Sequence, residues 1–117
     1  MARNRDIAAD RNQRPFGDVV EDALREIWGQ RRPNYARLHR MIKGISYEGL
    51  RQMIAGDLAP RADVMEQVAE VIGRDPSDFK EYRLYEISEC FSRHPELEVH
   101  LYDTVKTMCR QLDDAKH

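Results

Sequence analysis

The side chains with the longest chemical reach gather in one short stretch. Between Arg25 and Lys43 stand six basic residues, Arg25, Arg31, Arg32, Arg37, Arg40 and Lys43, against one acid, Glu26. Local charge of this density, rather than net charge, decides how a surface meets phosphates. Ser46, Tyr47, Glu48, Arg51 and Gln52 follow at once. A Gln amide matches the donor–acceptor pair of an adenine edge, an Arg fork fits guanine, and a Glu accepts from the cytosine amino group. Tyr47 can meet a thymine methyl or a phosphate. This set of groups suits non-covalent recognition of double-stranded DNA. Arg31, Arg32, Arg37, Arg40 and Lys43 are the phosphate candidates.

Covalent chemistry has no comparable constellation. There is no nucleophile–base pair, no phosphate-cradling glycine loop and no paired acids, so an enzyme is not expected. Cys90 and His94 are four residues apart, with His100 nearby. His94 precedes Pro95 at a helix break and no fourth ligand is apparent, so neither a metal nor a cofactor is expected. Cys90 and Cys109 read as reduced thiols serving as small core residues.

These residues need a scaffold, and composition bounds it. A chain of 117 residues fits one domain with appended segments. Hydrophobic residues at 41% can bury a core, and 34% charged residues with no period-2 alternation point to an all-α protein. No apolar run approaches the ~20 residues that span a bilayer. The opening MARNRDIAADRNQR lacks the apolar centre of a signal peptide. No membrane association and a cytoplasmic location are the expectation. The net charge of -2 is unevenly spread. Residues 1–60 hold eleven Lys/Arg against eight Asp/Glu, and residues 61–117 hold eight against thirteen. One side of the molecule is thereby fitted to phosphates and the other is not.

Residues 1–15 read as a flexible basic arm with Arg3, Arg5, Arg11 and Arg14. Phe16–Trp28 is amphipathic, with Phe16, Val19 or Val20, Ala23, Leu24, Ile27 and Trp28 on one stripe and acids early, where the helix dipole favours them. A second helix runs from Tyr35 to Met41 or Ile42, capped by Asn34, with Tyr35, Leu38, Met41 and Ile42 as its apolar positions. Gly44 supplies a sharp turn. Ser46 caps a third helix ending at Gly56, with Leu50, Met53 and Ile54 on one face. The fourth covers Arg61–Ile72, and a fifth starts near Ser77, with Phe79 and Tyr82 inward. A stripe of Leu84, Ile87 and Phe91 precedes the break at His94-Pro95. The last helix, Glu96–Leu112, carries Leu97, Leu101, Val105, Met108 and Leu112 at spacings of four, four, three and four. Such a stripe suits packing on another helix.

From Asn34 to Phe79 the chain resembles the helix-turn-helix domain of Cro and the phage repressors, the XRE family. The resemblance rests on Gly44-Ile45-Ser46 at the turn, Leu50 in the next helix, and Ile54-Ala55-Gly56 before a proline-bearing loop. The fourth helix ends in Val68-Ala69-Glu70-Val71-Ile72-Gly73, followed by Asp75-Pro76 and Phe79. It implies a five-helix lambda-repressor-like domain over residues 16–83, with additional C-terminal helices over 84–117. The Ser46–Ala55 helix would then lie in a major groove, which by position makes Ser46, Tyr47, Glu48, Arg51 and Gln52 the base-reading candidates. Where the family carries a leucine-alanine pair this chain has Leu38-His39, and the spacing to Gly44 is about one residue longer. A lengthened turn is therefore expected.

The function implied is that of a sequence-specific transcriptional regulator. Domains of this kind gain affinity by binding two half-sites as a homodimer. Leu97, Leu101, Val105, Met108 and Leu112 are the dimerisation candidates, and capping of the same chain's core is their other possible role. The competing reading is a helical protein-interaction module, an antitoxin or adaptor, with weak or lost DNA binding. The sequence leaves open whether there is a small-molecule effector, and which.

Overall fold

The architecture is taken from a computed structural model, which describes residues 14–116. Among these the chain forms six α-helices and one 3-10 turn, with no strand. None of the helices is long and apolar enough to cross a membrane. The chain divides into two units, residues 1–84 and 85–117. The basic arm expected over residues 1–15 lies outside the described residues apart from Arg14 and Pro15.

In the first unit, α1 (Phe16–Trp28) buries Phe16, Val19, Val20, Ala23 and Leu24. Their spacing puts them on one stripe of a 3.6-residue helix. The Phe16 N–H has no partner within its own helix and donates instead to Glu81 Oε1 at 2.8 Å, while the Phe16 ring meets Phe79 edge-to-face at 4.9 Å. At the outer edge of the stripe Ile27 is 45% exposed and Trp28 half-buried, so the inward face narrows towards the helix end.

The short α2 (Tyr35–Arg40) is capped by Asn34, whose Oδ1 accepts from the Arg37 N–H at 3.0 Å. It ends a residue or two before the sequence suggests. Met41 turns outward as the chain leaves the helix and is 55% exposed, whereas Ile42 stays buried. The six residues 41–46 join α2 to α3 (Tyr47–Ala55). Ser46 Oγ accepts from the Gly49 N–H at 3.0 Å, and α3 closes at Gly56 with φ 89°. There the Gly56 N–H bonds the Met53 carbonyl and the Asp57 N–H the Gln52 carbonyl, at 3.3 and 2.9 Å. That pairing satisfies carbonyls the helix leaves open, and only a left-handed residue permits it.

Helix α4 (Ala62–Ile72) buries Val64, Met65, Val68, Ala69 and Ile72. The fifth helix does not begin at Ser77. Asp75 accepts from the Ser77 N–H at 2.8 Å and Pro76 opens a 3-10 turn, Pro76–Asp78. Phe79 is then extended, with φ -88° and ψ 127°, which drives its ring fully into the core. Helical geometry at Phe79 would point that ring elsewhere, so α5 (Lys80–Arg93) starts one residue later. The core is a single cluster built from α1 to α4 and Phe79.

Gly17 sets the position of α3. A Cβ there would lie 1.9 Å from the Ile54 carbonyl oxygen, so the backbones of α1 and α3 are in direct contact. Any side chain would force them apart.

The second unit contains the end of α5 and all of α6 (Pro95–Ala115). Pro95 takes the first position of α6, where its missing N–H costs nothing. Neither α5 nor α6 has a buried residue. Leu84 and Ile87, from the apolar stripe of α5, are 57% and 50% exposed.

Candidate nucleic-acid interface

Helix α3 divides cleanly between its two faces. Leu50, Met53 and Ile54 are buried, and Tyr47, Glu48, Arg51 and Gln52 are exposed. Ser46 is exposed too, but its oxygen is committed to the cap on Gly49. A Cβ on Gly49 would sit 3.1 Å from both Ile45 Cγ1 and Ser46 Oγ, so glycine fits where the turn folds back on the helix.

Arg51 is held between two tyrosines. Its guanidinium carbon lies 5.1 Å from the Tyr35 ring centroid and 5.8 Å from that of Tyr47, and Nη1 donates to the Tyr47 hydroxyl at 3.3 Å. Both rings are within cation–π range. The hydrogen bond to Tyr47 favours the charged guanidinium and pushes its pKa further up. Tyr35 donates its hydroxyl to Glu21 Oε1 at 3.0 Å. Partial burial, reinforced by that bond to a carboxylate, pushes the Tyr35 phenol up to about 12. A chain of groups thus runs Glu21, Tyr35, Arg51, Tyr47 and ties α3 to α1 and α2.

The connection between α2 and α3 is clamped from three sides. Gln67 in α4 accepts from the Lys43 N–H at 2.8 Å and donates to the Lys43 carbonyl at 2.9 Å. Arg61 Nη2 donates to the Gly44 carbonyl at 3.1 Å while bound to Asp63. His39 Nε2 donates to the Ile45 carbonyl at 2.9 Å, and its ring meets Tyr47 edge-on at 5.8 Å. Three consecutive carbonyls are each taken by a side chain. His39, which stands where the family pattern has alanine, holds the turn. The Arg61 bond keeps the Asp63 carboxyl below its usual range.

The phosphate candidates have different surroundings. Arg31, Arg32, Arg40 and Lys43 are exposed. Arg37 is also exposed, but its guanidinium carbon stacks 4.4 Å above the Trp28 ring. Arg25, the remaining cation of the basic stretch and not a phosphate candidate, is paired with Asp22 at 3.3 Å and lies 3.9 Å from Glu21. Gln67, Arg61 and His39 escaped the sequence reading as site residues. Nothing in the sequence links Gln67 to a loop 24 residues earlier.

The dimerisation candidates all lie on α6. Leu97 and Leu101 are a little over one-third exposed, and Val105, Met108 and Leu112 more than half. Cys90 is half-buried and Cys109 exposed, and both are free thiols outside any core. Among the described residues no group of three His, Cys, Asp or Glu side chains is placed to hold a metal ion.

No protein-family model matches the chain, and neither does any curated protein or solved structure.

Proposed function

We propose that this chain is a sequence-specific DNA-binding regulator of transcription, working in the cytoplasm as a homodimer. Its first unit would serve as a lambda-repressor-like helix-turn-helix domain. The observation that carries the reading is α3 itself. It spends Leu50, Met53 and Ile54 on the core and offers Tyr47, Glu48, Arg51 and Gln52 outward, on a helix fixed against α1 at Gly17. Groups of those types read base edges from a major groove, and exposed Arg31, Arg32, Arg40 and Lys43 add phosphate contacts.

The connection of six residues exceeds the 3–4 of a usual helix-turn-helix. Three clamping side chains supply the stiffness that a tight turn would give.

The test is a titration against genomic DNA fragments at two salt concentrations. Four exposed phosphate contacts per copy, eight in the homodimer, give a slope of log affinity on log salt of roughly -7, because each neutralised phosphate releases a counterion. Selection of bound fragments followed by sequencing then yields the operator. Absence of binding at low salt defeats the reading and leaves the interaction module, with the acidic C-terminal half as its working surface.

A further inference from the structure

Along all 21 residues of α6 no side chain is buried. Most of the stability of a protein helix comes from packing its apolar face rather than from propensity, so α6 needs a cover. Its apolar residues are ordered as in a paired helix. Leu101, Val105, Met108 and Leu112 follow at four, three and four, which puts them at the d, a, d and a positions of a heptad repeat. On this register the flanking e and g positions hold Leu97, Tyr102, Thr104, Cys109 and Gln111, none of them charged. Between those residues three charges fall at the outer positions, on Asp103, Lys106 and Arg110, and one, Glu98, falls at an a position at the start of the helix, outside the Leu101–Leu112 seam. Beside the seam a shallow groove of about 230 Å³, lined by Phe91, Leu101, Tyr102 and Val105 among others, offers a hole for an incoming side chain.

We infer that α6 of a second copy of this chain covers the seam. Helices that choose an unlike partner carry like charges at e and g, which repel a second copy of themselves. Here those positions contain nothing that opposes self-pairing. The area fits a modest dimer. A helix of 21 residues is about 31 Å long, and half of its surface is roughly 500 Å². That approaches the ~600 Å² per copy at the small end of specific interfaces. The pairing is therefore concentration-dependent. The inference rests on the pairing part of the proposed function and not on DNA contact, and its test reads mass alone.

Sedimentation equilibrium of the full chain, from roughly 1 to 300 μM, decides it. The mass should rise from 13.7 kDa towards twice that value. Val105→Asp and Met108→Asp each place an unpaired charge in the seam and should weaken association about 100-fold. Thr107→Asp, at an outer c position, should leave it unchanged, and Met108→Leu should preserve it. The readout does not require α6 to stay helical in separated copies. A mass of 13.7 kDa throughout overturns the inference. So does wild-type association by Val105→Asp and Met108→Asp, or equal damage from Thr107→Asp.

Discussion

Gln67 grips the backbone of Lys43 on both sides, accepting from its N–H at 2.8 Å and donating to its carbonyl at 2.9 Å. Removing the amide releases two polar groups to water, where they find other partners. The cost in stability should be small, about 1 kcal/mol or less. The loop that sets α3 would loosen nonetheless. Gln67→Ala should therefore lower DNA affinity about tenfold while its melting temperature stays within a few degrees of wild type. Parallel binding and thermal titrations check this, and equal loss in both would reduce Gln67 to a stability residue.

Gly17→Ala should be severe. The added methyl meets the Ile54 carbonyl oxygen, a backbone atom that cannot swing aside. Overpacking of this kind costs about 3 kcal/mol or more, readable as a lower urea midpoint.

Across the candidate interface the outcomes should split by contact type. Arg51→Ala or Gln52→Ala should erode discrimination between operator and random DNA by about 1–3 kcal/mol. Arg40→Ala or Lys43→Ala should weaken all sequences alike and reduce the salt slope by about one per copy. If all four substitutions are silent, α3 does not face the groove.

Tyr35 provides a pH marker. Its phenol holds its proton to about 12, against 10 for a free tyrosine. The folded state binds this proton more tightly than the unfolded state. The associated stability is therefore complete below pH 10 and is lost as pH rises through 12. Ultraviolet titration of wild type and Tyr35→Phe should show that the ionisation missing from the variant is a late one. Glu21→Gln should move it earlier. A missing step near pH 10 would rule out the Glu21 contact.

Much of this fold was legible locally. The stripe Phe16, Val20, Leu24, the Ser46 cap and the Gly56 stop depend on neighbours within a turn or two, and all-helical structure followed from them. The 3-10 turn at Pro76 was not legible, because the burial of Phe79 decides where α5 starts. Met41 shares the spacing of a core residue, yet the chain turns before it can point inward. Within the candidate site, exposure of Tyr47, Glu48, Arg51 and Gln52 follows from burial of Leu50, Met53 and Ile54. The clamps did not follow. Gln67 and Arg61 act across 24 and 17 residues, and Arg37 on Trp28 across a loop, and no periodic pattern records such pairs.

The contact of Gly17 with Ile54 has a consequence for how this molecule can change. Tyr47 and Arg51 help tie α3 to α1 and α2, but because bare backbone fixes α3 against α1, the outward residues Glu48 and Gln52 are not asked to hold the helix in place. They can be exchanged as a set while the scaffold keeps its shape. The same frame could therefore be retuned to new targets by substitutions that never touch its interior.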